Sequence, residues 1–318
     1  MRIADAHADV LYQLRNASST YAEASFLQAG YQDSLKAGVS LQVFALFANP
    51  QLSPGEQLRQ VLEDIGRYQR TMINTGYVQP IFYREDLFSS VQPVYSGILS
   101  LEGAACLYDS PEILQALFSL GVRGVGLTWN GANSLADGCR EERNAGLTRA
   151  GKQIVSMMEE LQMWIDIAHL ADAGVFDVFS ITNGIVMASH ANLRKIHEHP
   201  RNLTDNTVRE IVRRDGWLGL TFEASFVAKS EAGLEDFMRH VDHALSLGCE
   251  RHLGFGSDFD GTSHALQGLA TVSDYPKLAE RLDKEYGREL AEKILYGNFL
   301  DFLSRQLPSR KTEFASIH

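Results

Sequence analysis

Short apolar runs of strand length alternate along this chain with longer stretches in which apolar residues recur at helical spacing. The first run, residues 3–11 (IADAHADVL), ends in His7, Ala8 and Asp9. Residues 11–35 read as irregular or helical. A second strand is predicted over 39–47, then a helix over 55–77 in which Leu58, Val61, Leu62, Ile65 and Met72 share one face between charged residues. A third strand, 96–101, delivers Glu102 at its end. A helix around 111–120 separates it from a fourth strand at 124–129. Helical periodicity over 148–162 leads to a fifth strand, WIDIAH, ending in His169. A sixth strand, IVMASH, ends in His190. A helix over 203–214, capped by Thr204 or Asp205, precedes the seventh strand at 217–222. A helix over 231–247 then leads to the eighth strand, 252–255, which runs into GSDFDG; helices from about 275 to 306 follow.

Eight strands alternating with helices, with no linker or composition break, predict a single (β/α)8 TIM barrel over 1–318. The polar, Gly/Asn-rich stretch at about 130–147 is too long for a simple turn and is expected to be a rim loop over the site. Uneven spacing and dissimilar segments exclude a solenoid.

Composition narrows the function classes. With 45% hydrophobic and 22% charged residues, the chain has the proportions of a folded globular protein. A formal charge of -11 without clustered Lys and Arg argues against nucleic acid as a partner. No apolar run reaches the ~18 residues that span a bilayer, no secretory signal precedes the first functional residues, and the tail has no lipid-anchor pattern. Cys106, Cys139 and Cys249 are odd in number and far apart, which suits a reducing compartment, so a cytoplasmic protein without membrane attachment is expected.

The candidate chemistry lies at the strand ends. His7 and Asp9, two apart on a strand, point to one side. Glu102, His169, His190 and Asp258 end the third, fifth, sixth and eighth strands, and in a parallel barrel these C-terminal ends form one rim. Three imidazoles and three carboxylates suit a borderline metal such as zinc, and exceed the three protein ligands of a single catalytic ion. Two ions are therefore expected, with Glu102 the best bridge and an activated water between them. Asp258 then becomes the proton carrier, a ligand role also remaining open.

The motifs DAHAD at 5–9, SLEG at 100–103, IDIAHL at 165–170, ASHAN at 188–192, HPRNLTD at 199–205 and GSDFDG at 256–261, in this order, resemble the membrane (renal) dipeptidase family, peptidase family M19, within the amidohydrolase-like barrels. The resemblance implies two Zn2+ ions, one held by His7, Asp9 and Glu102, the other by Glu102, His169 and His190. It also implies proton transfer by Asp258, a substrate carboxylate bound by Arg201, and dipeptide substrates, including those with a C-terminal D-residue. A homodimer is expected only by analogy with relatives. The family histidine after the fourth strand is replaced here by Trp129 in LTWNGAN, which makes Trp129 and Asn130 candidate substrate-binding residues and admits a rival: a zinc amidohydrolase for N-acyl amino acids, lactams or lactones. A non-catalytic binding protein on the same barrel is a more distant alternative. Asp260 is expected to be structural, His197 and His199 exposed, and His240 and His243 surface or packing residues on the outside of the barrel.

Overall fold

Residues 3–8, buried throughout, form the strand around which the sheet closes. A computed structural model describes residues 1–310 except 18, 89–94 and 185. The expected sixth strand's first residue, Ile185, and the tail from 311 onward lie outside the described residues.

Nine strands are described: β1 (Ile3–Ala8), β2 (Val39–Phe47), β3 (Gln79–Pro80), β4 (Ser96–Glu102), β5 (Val122–Gly126), β6 (Trp164–Asp166), β7 (Val186–Ala188), β8 (Trp217–Leu220) and β9 (Leu253–Phe255). All pair in parallel, in the order β2-β1-β9-β8-β7-β6-β5-β4, and a further β2–β4 ladder closes the ring. This is a closed eight-stranded (β/α)8 barrel. The extra strand, β3, has no counterpart among the strands expected from the apolar pattern. It pairs with Ser96 and Gly97 at the start of β4, on the edge that β5 takes from Leu99 onward. Pro80 has no N–H to donate to a ladder, which suits so short a pairing.

One irregularity decides what the first strand presents. Between Asp5 and Ala8 the register with β2 advances only from Gln42 to Phe44, so β1 carries an extra residue. Ala4 and Ala6 pack in the barrel interior with Leu41, Val43, Ile98, Trp164 and Trp217. Strict alternation would then send His7 and Asp9 outward. The bulge turns them back toward the barrel mouth.

The lower end of the barrel is plugged by the helix Asn298–Gln306, whose Phe299 lies 4.6 Å from the Trp217 ring between centroids. The outer helices bury one face each. Pro54–Tyr68 starts with a Ser53/Glu56 capping box, and Thr204, rather than Asp205, caps Asp205–Arg213 by accepting from Thr207 N–H. Among the described residues no helix is long and apolar enough to cross a membrane.

Candidate metal centre

The later strands are shorter than their apolar runs suggest: His169 lies beyond the end of β6, His190 beyond β7 and Asp258 beyond β9. Buried carboxylates hold these extensions in place. Asp166 Oδ1 accepts the backbone N–H of Ala168 and of Ser189, each at 3.0 Å, joining the segment that carries His169 to the one that carries His190. Asp5 does the same on the other side: it accepts from His7 N at 3.2 Å, from Ser257 N at 2.9 Å and from Ser257 Oγ at 2.6 Å. Sequence reasoning missed both aspartates, although each sits just before a histidine, in DAH and DIAH. The GSDFDG turn is equally constrained. Asp258 and Asp260 have φ of 66° and 67°, a left-handed conformation uncommon for non-glycine residues. Asp260 accepts N–H from Gln28 and Ala29, the structural role expected of it. A Cβ on Gly261 would come within 2.1 Å of Asp9 Oδ2 and 2.9 Å of Asp258 Oδ1. Only glycine lets the chain pass so close to the two carboxylates.

Six side chains converge at the mouth. His7 Nε2 is 3.4 Å from both Asp9 Oδ2 and Glu102 Oε2, and 3.9 Å from Asp258 Oδ1. Glu102 Oε1 is 2.9 Å from His169 Nε2 and 3.6 Å from His190 Nε2, while the two imidazole nitrogens are 2.9 Å apart. The donor atoms fall into groups whose members lie within 4.8 Å of one another: His7, Asp9 and Glu102; Glu102, His169 and His190; and His7, His190 and Asp258. The first two share Glu102. Among the described residues His7 Nε2 is buried without a hydrogen-bond partner although two carboxylate oxygens stand 3.4 Å away, an arrangement that a cation held between them would satisfy. The residues therefore fit a metal ion.

The outer nitrogens of two of these imidazoles are held. His169 Nδ1 donates to Asn130 Oδ1 at 3.0 Å, and Ser189 Oγ and His190 Nδ1 are 2.6 Å apart. These contacts orient the rings with Nε2 inward, as is usual around metal-ligating histidines. Asn130, expected to touch substrate, thus also serves the centre. Burial lowers the His169 pKa to about 4 and, with the charge of His7, holds His190 well below its ordinary value, so both present unprotonated nitrogens. Burial alone would lower the His7 pKa too, but the Glu102 and Asp9 carboxylates raise it well above normal. Glu102, against its burial, is held low by His7 and His169. Burial raises the Asp258 carboxyl well above the usual range, and the Asp9 and Glu102 charges add to this.

A cavity of about 510 Å³ opens above these groups, lined among others by Glu102, His169, Asp258, Trp129 and Arg140. Trp129 stands edge-on to Phe47 at 5.6 Å and 6.2 Å from the His169 ring. Arg201 lies beneath the wall, only 1% exposed. Its guanidinium donates to the carbonyl of Ala168 and, at 2.9 Å, to that of His190, bracing both histidine-bearing segments; its Nε has no partner among the described residues. Among the charged residues of the cavity wall, sequence reasoning passes over Arg140 and Glu223. The first lies in the segment read as a rim loop. The second carries no motif, and its carboxylate accepts from Ser225, Thr262, Ser263 and His264. The pair His197 and His199 sits half-buried outside this cluster, with His199 packed 4.7 Å from the Phe226 ring. His240 is fully buried on the outer layer, and His243 bonds Asp205 at 2.9 Å.

Comparison with known proteins agrees with this architecture. A crystal structure of a dipeptidase, a metallopeptidase of family M19, superposes with a TM-score of 0.91 at 25% identity, covering 97% of this chain and 99% of that one. A metallopeptidase from Rhodobacter sphaeroides, solved with a phosphinate mimic of L-Ala-D-Ala, shares the fold with a TM-score of 0.86 at 24% identity over 96% of this chain and 99% of its own. Among curated sequences, the dipeptidase aclJ of Aspergillus oryzae is 34% identical over 59% of this chain and 46% of its own length. An uncharacterized dipeptidase of Schizosaccharomyces pombe is 32% identical over 58% of this chain and 48% of its own. The chain thus spans about half the length of these curated relatives. The family model for the membrane dipeptidases matches residues 1–313, and the chain belongs to that family, peptidase family M19.

Proposed function

We propose that this chain is a dinuclear zinc dipeptidase. The observation that carries the reading is the pair of ligand groups that share Glu102 at the mouth of the barrel. His7, Asp9 and Glu102 would hold one zinc ion, and Glu102, His169 and His190 the other. When bound, the ions supply Lewis-acid polarisation of the scissile carbonyl and a water acidic enough to react near neutral pH. The remaining work falls to the chain itself. Asp258 faces the cavity at the edge of the cluster, where it is suited to take a proton from the attacking water and pass it to the departing amine. Arg201, next to both histidine segments, would fix the substrate carboxylate through N–H groups not spent on Ala168 and His190. Trp129 and the outer edge of Asn130 would form the wall against which the substrate lies. The cavity's size suits a dipeptide. The Rhodobacter relative's ligand mimics L-Ala-D-Ala, which supports including C-terminal D-residues among the substrates. The described cysteines are all free, which suits work in a reducing cytoplasm.

Steady-state rates of the zinc-loaded protein on L-Xaa-L-Xaa and L-Xaa-D-Xaa dipeptides, alongside elemental analysis, test the proposal. Two zinc ions per chain and dipeptide turnover are expected; no turnover of any dipeptide by the fully loaded protein would sink it. Trp129 favours a second reading. Its indole has one N–H and no titratable nitrogen where the family carries histidine, so N-acyl amino acids, lactams and lactones belong in the same panel. A non-catalytic binding protein would show less than one metal per chain and no activity after zinc is added.

A further inference from the structure

Arg140 is the one permanently cationic side chain among the described residues that line the cavity. Its guanidinium is exposed and has no hydrogen bond or ion pair among the described residues. Its neighbours on the loop are committed. Arg143 forms a two-pronged bond with Asp137, and Glu141 Oε1 accepts from Ala132 N at 2.8 Å. Glu223 across the cavity is filled by its own donors, and the exposed Glu142 on the same loop forms no ion pair with Arg140 among the described residues.

The backbone beneath Arg140 is fixed to the metal centre. Cys139 N donates to the carbonyl of His169 at 2.8 Å, and Arg140 N to the carbonyl of Asn130 at 3.0 Å. Gly138 lies so close to this segment that a Cβ would meet Trp129 O at 2.2 Å. The side chain therefore starts from a position set by the ligands and is free only beyond it. Cys139 N is bonded to the carbonyl of His169 and the Arg201 guanidinium to that of the adjacent Ala168, so the two arginines flank the same histidine-bearing segment. Their situations differ: Arg201 is buried and spends two groups on backbone carbonyls, whereas Arg140 spends none.

Building on the dipeptidase reading, we propose that Arg140 is a specificity residue that receives the side-chain carboxylate of an acidic C-terminal residue, making aspartyl- and glutamyl-ended dipeptides the preferred substrate class. A free guanidinium offers a planar fork that matches a carboxylate, and one charge-assisted contact of this kind gives a preference on the order of 10- to 100-fold. A neutral amide of the same shape gains none of it.

The test compares kcat/KM of the zinc-loaded full chain for Ala-Glu against Ala-Gln, with L- and D-configured C-terminal residues, in the wild type, Arg140→Met and Arg140→Lys. The wild type should favour the acidic peptide by about 10- to 100-fold. Arg140→Met should bring the ratio to about one, with Arg140→Lys between them. A ratio near one in the wild type, or one unchanged in Arg140→Met, overturns the proposal. So does an equal fall for both peptides, because Arg140 would then serve a group that all dipeptides share. If no dipeptide is turned over, the dipeptidase reading fails, and Arg140 is judged by titrating free glutamate and glutamine into both proteins with NMR detection. Weaker glutamate binding in Arg140→Met alone supports the carboxylate site, and equal binding in the two proteins overturns it.

Discussion

Removing the Asn130 amide tests whether this residue positions a ligand or touches substrate. Asn130 Oδ1 accepts from His169 Nδ1 at 3.0 Å and is also 3.7 Å from Cys139 Sγ. The first contact selects the tautomer with its proton on Nδ1, leaving the Nε2 lone pair facing Glu102 Oε1 at 2.9 Å. Without it, His169 is free to carry its proton on either nitrogen and to rotate, and each metal-binding event must restore the correct form. Outer contacts of this kind are worth about 10- to 100-fold in metal affinity, or roughly 1.4–2.7 kcal/mol. Asn130→Ala should therefore weaken zinc binding by about that factor, whereas Asn130→Asp, which keeps an acceptor, should retain it. Competition against a chromophoric zinc chelator at fixed pH and salt measures the affinity, and thermal unfolding of the metal-free proteins checks that each variant is folded. Unchanged affinity in Asn130→Ala, with a raised KM, would refute the positioning argument and return Asn130 to substrate binding alone.

Three further outcomes are expected. Gly261→Ala should lower kcat/KM by about 100-fold while changing the melting temperature little, since the new Cβ displaces Asp9 and Asp258 rather than the core; near-normal activity would contradict the close approach. Asp166→Ala leaves two buried N–H groups unpaired, so urea unfolding should show a loss of roughly 2–5 kcal/mol, with Asp166→Asn losing less; a loss under about 1 kcal/mol would refute the stapling role. His240 accepts from Leu193 N at Nδ1 and donates from Nε2 to Val227 O, and burial lowers its pKa to about 4. The unfolded chain therefore binds a proton that the folded chain excludes between about pH 6.5 and 4. Unfolding free energy should fall as pH drops through that window, by up to about 3 kcal/mol from this residue, and fall no further below it. His240→Gln should flatten that part of the pH dependence, and an identical slope in both proteins would disprove the assignment.

Much of the rim is legible in the sequence. His7, Glu102, His169, His190 and Asp258 each close a short apolar run, and in a parallel barrel all such runs end on one face. That inference needs only local periodicity, which the covalent chain imposes, and a closure rule general to the fold. Where the local pattern is too coarse, the expectations blur. The runs WIDIAH and IVMASH give no sign that pairing stops at Asp166 and Ala188, because the stop depends on Asp166 drawing in an N–H from the neighbouring segment.

Other features exist only once distant residues meet. The direction of His7 and Asp9 depends on the extra residue of β1 against β2, which no alternation within 3–11 reveals. Asp5 meets Ser257 across 252 positions of sequence, so its role is invisible in either segment alone. Arg201 stands out by its motif, and only the structure shows it braced by two backbone carbonyls with N–H groups to spare, while Arg140, in a segment read as a rim loop, lines the cavity with its charge unspent. Residue type and spacing determined which chemistry could gather at the barrel mouth. Hydrogen bonds and burial, set by contacts far apart in the chain, decided which side chains were left free to act.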